Sequence, residues 1–353
     1  ADAHRQISDY CAGMAEAGRL LKRLEPPKSG LFVPPTALKV EGIGEIGEEI
    51  FGPVLHVARF EGNRIDEVVR EINAKGYGLT FGLHTRIDSR VQQILDEIRA
   101  GNIYVNRDQI GAVVGSQPFG GEGLSGTGPK AGGAHYAPRF RRRIAPSTMD
   151  IASGPEIGAK ALHDALTSLD GTNWAASVDR IKALRAALRG SAAEAVSAAA
   201  SLDCGPIDLP GPTGESNQFF LFPRGVGLCL GPDRESLLAQ VVQGLAAGNA
   251  VLAVAPDASQ HLHALKNGGF PLTVCDGILE DGALRDLPVD VVACCSGPGQ
   301  IAKLRIACAD REGPIITLIT EPIAPAAYCT ERTICIDTTA AGGNATLLST
   351  AEG

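Results

Sequence analysis

Apolar residues recur along this chain in two alternating rhythms. Helical windows, with apolar positions three and four apart, fall at 5–21, 65–74 and 87–99, and later at 236–246 and 301–309. Between them lie short runs that read as extended: 30–41, 53–60 and Gly101 to Arg107 (GNIYVNR), then Gly225 to Leu230, Ala250 to Val254, Val289 to Cys295 and Pro314 to Ile319. Strand-like runs that are apolar throughout and alternate with helices predict an α/β class with a parallel sheet covered on both faces. From Ile157 to Leu202 the chain turns Ala-rich, with Leu162, Leu166, Leu169 and then Ile181, Leu184, Leu188 at helix-face spacing. The composition shifts near Ala145-Pro146-Ser147-Thr148, which suggests a second unit from there on. Asp88-Ser89 supplies helix-capping chemistry before Val91, and Gly101 is expected to close that helix. The last stretch, Ile334 to Gly353, is small and polar and reads as a tail.

One segment breaks both rhythms. Gly111 to Gly133, GAVVGSQPFGGEGLSGTGPKAGG, holds nine glycines around a single aromatic residue, Phe119. Glycine is costly to order, so a fold places it where backbone needs positive φ or approaches a ligand closely. A flexible linker would be Ser-rich; a Val-Val pair and an internal Pro-Phe favour an ordered loop. It follows a strand, where α/β folds bind ligands.

Composition narrows the picture. The chain has 353 residues, enough for two ordinary domains. Its formal net charge of -8 offers no broad basic field for nucleic acid or an anionic membrane surface. The run Arg139-Phe140-Arg141-Arg142-Arg143 reads as a solvated strand end or subunit contact rather than a phosphate patch. No apolar run is long enough to span a bilayer and no signal peptide opens the chain, so a cytoplasmic location is expected. The nine cysteines sit mostly in apolar settings such as GLCLG and VVACCS, the pattern of buried reduced thiols, and no Cys/His spacing suggests a metal site. The start without Met, inside a helical window, suggests a piece of a longer protein.

Four motifs in order, Glu48-Glu49-Ile50-Phe51-Gly52-Pro53-Val54, Asn73-x-x-Gly76-Tyr77-Gly78-Leu79-Thr80, Gly101-Asn102-Ile103-Tyr104-Val105-Asn106 and Gln117-Pro118-Phe119-Gly120-Gly121-x-x-Leu124-Ser125-Gly126, resemble the C-terminal part of an aldehyde dehydrogenase. With GSQPFGGEGLSGTGPKAGGAHY, ASLDCGPIDLPGPTGESNQFF and DTTAAGGNATLLS, essentially the whole chain resembles the C-terminal portion of the proline utilization A family. That bacterial family joins an FAD-dependent proline dehydrogenase to an NAD-dependent dehydrogenase of glutamate semialdehyde, the hydrolysed form of pyrroline-5-carboxylate. The resemblance implies a fold made of the C-terminal part of an aldehyde dehydrogenase catalytic domain (1–145), then a second, degenerate Rossmann-like aldehyde dehydrogenase-type domain with a parallel sheet (146–329), then a C-terminal tail motif (330–353).

It also implies roles. Glu49 would bind the nicotinamide-side ribose, since a carboxylate matches a vicinal diol, and Phe51 would pack against that ribose. Gly111 and Ala112 would anchor the substrate α-carboxylate through a nest of backbone N–H groups, and Phe119 would wall its aliphatic part. The competing readings are a surface charge for Glu49, core side chains for Phe51 and Phe119, and a plain turn at Gly111. Ser116 and Asn106 receive no role. The family's cysteine nucleophile lies upstream of the Glu48–Val54 motif, and Cys11, the only cysteine there, is not in such a loop. No catalytic residue is therefore assigned, and the chain alone is expected to be inactive. Its expected partners are a small-molecule substrate and upstream domains of the same polypeptide, with a homo-oligomer left open and any peripheral membrane contact falling to other parts.

In the second domain the departures matter. Pro232-Asp233-Arg234-Glu235-Ser236 stands where the family has its oxyanion-hole Asn, and Ala255-Pro256 where it has the Lys that binds the adenosine ribose. Glu321 falls near a general-base position but lacks the glycines that follow it, and Ser296-Gly297-Pro298-Gly299 reads as a structural turn. The resemblance thus implies a non-catalytic domain without NAD that covers the dehydrogenase module and helps enclose a passage between two active sites.

Overall fold

A computed structural model describes residues 2–141, 149, 153–202 and 204–339. The chain forms two compact units, one of Ala1–Gly76 with Gln92–Ile98, the other of Tyr77–Val91 with Arg99–Gly353.

In the first unit a helix, Asp2–Glu16, packs through Ile7 and Cys11 on Leu38 of a three-stranded sheet. The sheet runs Leu20–Arg23, Thr36–Lys39, Val54–Val57. The first helix is shorter than the window 5–21: it stops at Glu16, Gly18 turns the chain at φ +72°, and Leu20–Arg23 leaves as an antiparallel strand. Ile65–Ala74 is helical over the expected span.

The second unit holds two five-stranded sheets. One is parallel, in the order Leu272–Asp276, Ala250–Ala255, Val226–Cys229, Val291–Ala293, Thr317–Ile319. Numbered along the chain that order is 3-2-1-4-5, the arrangement of a doubly wound fold. Its strands are apolar because both faces are covered. Leu237, Val241 and Leu245 of the helix Arg234–Ala246 lie in one buried cluster, and Leu162, Ile301 and Leu304 lie in the other. The helix Arg234–Ala246 begins at Asp233, whose carboxylate accepts the N–H groups of Glu235 and Ser236 and the Ser236 hydroxyl. At Ser296-Gly297-Pro298-Gly299, Pro298 opens the helix Pro298–Ala309, the position where its missing N–H costs nothing.

The other sheet is mixed: Thr80–Leu83, Asn102–Val105, Cys329–Asp337, Glu215–Pro223, Ile207–Leu209. It draws strands from both sides of residue 145, and its centre is the segment read as a tail. Ile334 to Asp337 is not tail but the end of the strand Cys329–Asp337, parallel to Asn102–Val105 and antiparallel to Glu215–Pro223 over nine residue pairs. Residues 340–353 lie outside the described residues.

Gly101 does not close the preceding helix, which ends at Glu97; its N–H donates to Gly78 O. Its lack of a side chain serves packing: a Cβ there would stand 2.0 Å from Gly120 O. Capping by the Asp88 side chain lies outside what is described. Among the described residues no helix is long and apolar enough to cross a membrane, and no group of three or more His, Cys, Asp or Glu is arranged to hold a metal ion.

Two stability effects follow. Gly101→Ala should cost at least ~2 kcal/mol because neither backbone can yield, whereas Asp233→Ala should cost ~1 kcal/mol as an ordinary lost cap. Chemical denaturation checks both; a Gly101→Ala midpoint equal to wild type contradicts the close approach.

Candidate functional site

The glycine-rich loop is ordered by hydrogen bonds rather than by an apolar core. Phe119 forms a two-bond antiparallel bridge with Ala131 (N···O 3.0 and 2.9 Å), and its ring is half-buried. The next carbonyl, Gly120 O, accepts from Lys130 Nζ (2.6 Å) and from Asn102 Nδ2 (3.1 Å). Lys130 Nζ also donates to Asn102 Oδ1 (2.9 Å), so an amide and an ammonium hold one peptide from two sides. Loop residues 130–133 therefore grip residues 119–120.

The strand Cys329–Asp337 braces this arrangement. Its alternate residues Glu331, Thr333 and Cys335, all buried, meet the loop and the cluster at its base. Glu331 Oε2 accepts the Lys130 backbone N–H (2.6 Å), and Oε1 pairs with His135 Nδ1 (2.8 Å). The Thr333 hydroxyl donates to Pro118 O (2.9 Å). The Cys335 thiol donates to Glu215 Oε1 (2.7 Å), an oxygen that also accepts from Arg107 and Gln117. From the opposite face Arg332 forms a two-pronged ion pair with Glu122 (2.9 and 3.1 Å) and lies over the Phe222 ring.

Lys130 is 1% exposed. Burial lowers its pKa to about 7, opposed by Glu331 and Glu122 and reinforced by Arg332. A lysine in this loop carried no signal in the sequence, because a charged residue among glycines reads as solvated. Burial likewise raises the thiol pKa of Cys275, Cys294 and Cys308 and lifts Cys295 to about 11 and Cys335 to about 12. None of these has the lowered pKa that a thiolate nucleophile needs.

The expected site residues fall into two sets. Glu49 and Phe51 lie in the first unit, both exposed in this chain, with Phe51 88% accessible. Gly111, Ala112 and Phe119 lie in the second unit; Gly111 and Ala112 are exposed, and Gly111 turns the chain at φ +80°, a conformation suited to glycine. Asn106 has a local job its sequence did not disclose: at φ +58° it accepts the Thr85 N–H on Oδ1. A cleft of about 1200 Å³ in the second unit borders the His135–Glu331 pair and is lined also by Arg139, Arg224 and Glu321 among others. None of the five expected site residues borders it.

A parallel five-stranded sheet in the order 3-2-1-4-5, covered on both faces, defines the class as a doubly wound α/β protein. Residues 2–142 match the model of the aldehyde dehydrogenase family. The chain is 38% identical over 337 residues to the bifunctional protein PutA of Escherichia coli, covering 91% of this chain and 24% of that protein. It thus spans about a quarter of the length of this relative. It is 40% identical over 138 residues to 1-pyrroline-5-carboxylate dehydrogenase 1 of Halalkalibacterium halodurans, covering 38% of this chain and 26% of that one. A crystal structure of a Thermus 1-pyrroline-5-carboxylate dehydrogenase with bound NAD aligns with 40% of this chain and 27% of its own, at 37% identity and a TM-score of 0.35.

Lys130 has a pH signature. Between about pH 7 and the ordinary lysine value near 10.4 the unfolded chain holds one more proton than the folded chain, so this residue makes stability rise with pH there. Denaturation at stepped pH should show wild-type stability rising relative to Lys130→Met across that window; a flat or falling difference contradicts the assignment. The buried thiols give a second test. Folded protein at pH 7.5 should alkylate at Cys294, Cys295, Cys308 and Cys335 at least ~10-fold more slowly than unfolded protein, and equal rates would contradict their burial.

Proposed function

We propose that this chain contributes the C-terminal part of an NAD-dependent L-glutamate γ-semialdehyde dehydrogenase within a bifunctional proline-oxidising enzyme. The FAD-dependent proline dehydrogenase and the cysteine nucleophile would come from other parts of the polypeptide. The observation that carries the reading is the loop itself: Phe119 pinned through its backbone at one end, and an exposed turn at Gly111 and Ala112 at the other.

The residues fit these roles. In the glycine turn, the N–H groups of Gly111 and Ala112 would donate to the substrate α-carboxylate, leaving the aldehyde end free to reach a thiolate. Phe119 would exclude water from the methylene segment. Glu49 would accept from the two hydroxyls of the nicotinamide ribose and Phe51 would cover the ribose face, roles for which both side chains are accessible. NAD, when bound, would supply the hydride acceptor. The chain's own residues then orient and shield, and this chain alone would not complete the oxidation.

A structural role for 146–329 is favoured by two observations. The helix Arg234–Ala246 opens with the N–H groups of Glu235 and Ser236 taken by the Asp233 side chain, which sets a carboxylate at the end where a pyrophosphate would bind. Ala255, at the end of its strand, is buried and offers no donor to a ribose. We infer a degenerate cofactor domain that no longer holds NAD.

In the complete protein, Glu49→Ala should raise the KM for NAD ~10-fold, the loss of about 1.4 kcal/mol of binding. An unchanged KM for NAD contradicts the role of Glu49. Calorimetric titration should give one NAD per chain; a second saturable site would overturn the reading of Asp233 and Ala255.

A further inference from the structure

The residue that ties the C-terminal strand to the glycine-rich loop is Glu331. It is buried, and its two carboxylate oxygens are used at the two ends of one short turn: the Lys130 N–H on Oε2 and His135 Nδ1 on Oε1. The turn so clipped holds Phe119 in two ways. Ala131 makes both bonds of the bridge to the Phe119 backbone, and Lys130 Nζ holds the carbonyl of the next residue, Gly120. The peptide ahead of Phe119 is held separately, by the Thr333 hydroxyl on Pro118 O, and the two glycines that follow Phe119 leave its placement to these backbone contacts. Glu331 through Lys130, and Ala131 next to it, thus link a strand some 200 positions away to the backbone of the one aromatic residue in the loop.

We propose that Glu331 is a positioning residue for the substrate site: by clipping the Lys130–His135 turn it sets the place of Phe119 and so the affinity for the semialdehyde. This rests on Phe119 lining the substrate, as argued above. It gives the second domain a part in the dehydrogenase site, carried by a side chain that touches neither substrate nor cofactor. The charged and titratable groups facing the clip include Lys130, His135, Glu122, Arg332 and Arg224. Lys130 and His135 are bound by Glu331 directly, Glu122 and Arg332 are paired with each other, and Arg224 donates to Thr127 O.

The test is steady-state kinetics of the complete protein, with pyrroline-5-carboxylate and its hydrolysed semialdehyde as substrate. Glu331→Ala should raise the KM for semialdehyde ~10-fold while the KM for NAD stays within twofold, a split that general loss of structure would not give. Glu331→Gln, which keeps an oxygen for Lys130 N–H and an amide for His135, should restore most of the loss. Phe119→Ala should raise the same KM, and the double variant Glu331→Ala/Phe119→Ala should be no worse than Phe119→Ala alone, because the two act in series. If Phe119→Ala raises KM and Glu331→Ala does not, the clip is wrong while the site stands. An unchanged KM in Phe119→Ala overturns the site reading itself, and this inference with it. Should Glu331→Ala fail to fold, His135→Ala removes one arm at a partly exposed side chain and should raise the semialdehyde KM ~3-fold; no change there also overturns the proposal.

Discussion

The structure depends on one strand being accepted between two others. Cys329–Asp337 carries Glu331, Arg332 and Thr333 into the middle of a mixed sheet, where each is buried and each must find a partner. They find them on the glycine-rich loop: Lys130 N–H, Glu122 and Pro118 O. A buried group left unsatisfied costs ~1–3 kcal/mol, so strand and loop stabilise only one relative arrangement. The loop's glycines permit many shapes, and the strand's polar side chains select among them.

That constraint explains why the loop is ordered with so little apolar burial. Gly101 and Gly120 come so close that no side chain fits between them, and this proximity brings the Gly120 carbonyl within reach of both Asn102 and Lys130. At the other end Gln117 reaches the Glu215 cluster that also holds Arg107 and Cys335. The stretch from Arg107 to Gln117, pinned at both ends on Glu215, is left exposed at Gly111 and Ala112. The loop thus combines fixed ends with an accessible backbone turn between them.

Much of this was legible in the sequence, and the omissions have physical causes. The helix Ile65–Ala74 and the apolar strand at Ala250 follow from local periodicity, and the composition of 111–133 marked an ordered loop rather than a linker. The strand ending at Asp337 escaped because ICID looks too small and polar for a core. Its burial comes from partners at Asn102 and Glu215, and a window of a dozen residues contains no trace of them. Lys130 and Glu331 escaped for the same reason: a charged residue is buried only when a distant opposite or polar group meets it. The first helix was overextended because Leu20 and Leu21 continue its apolar spacing, whereas Gly18 and pairing with Thr36–Lys39 decide for a strand.

Amide hydrogen exchange tests the dependence of loop on strand most directly. Exchange at Phe119, Lys130 and Ala131 should accelerate at least ~10-fold when Glu331 is replaced by Ala, while Val251, whose N–H is bonded within the parallel sheet region, keeps its wild-type rate. Unchanged protection at Phe119 and Ala131, with Val251 equally unchanged, would show that the loop holds its shape without the strand and would contradict the account.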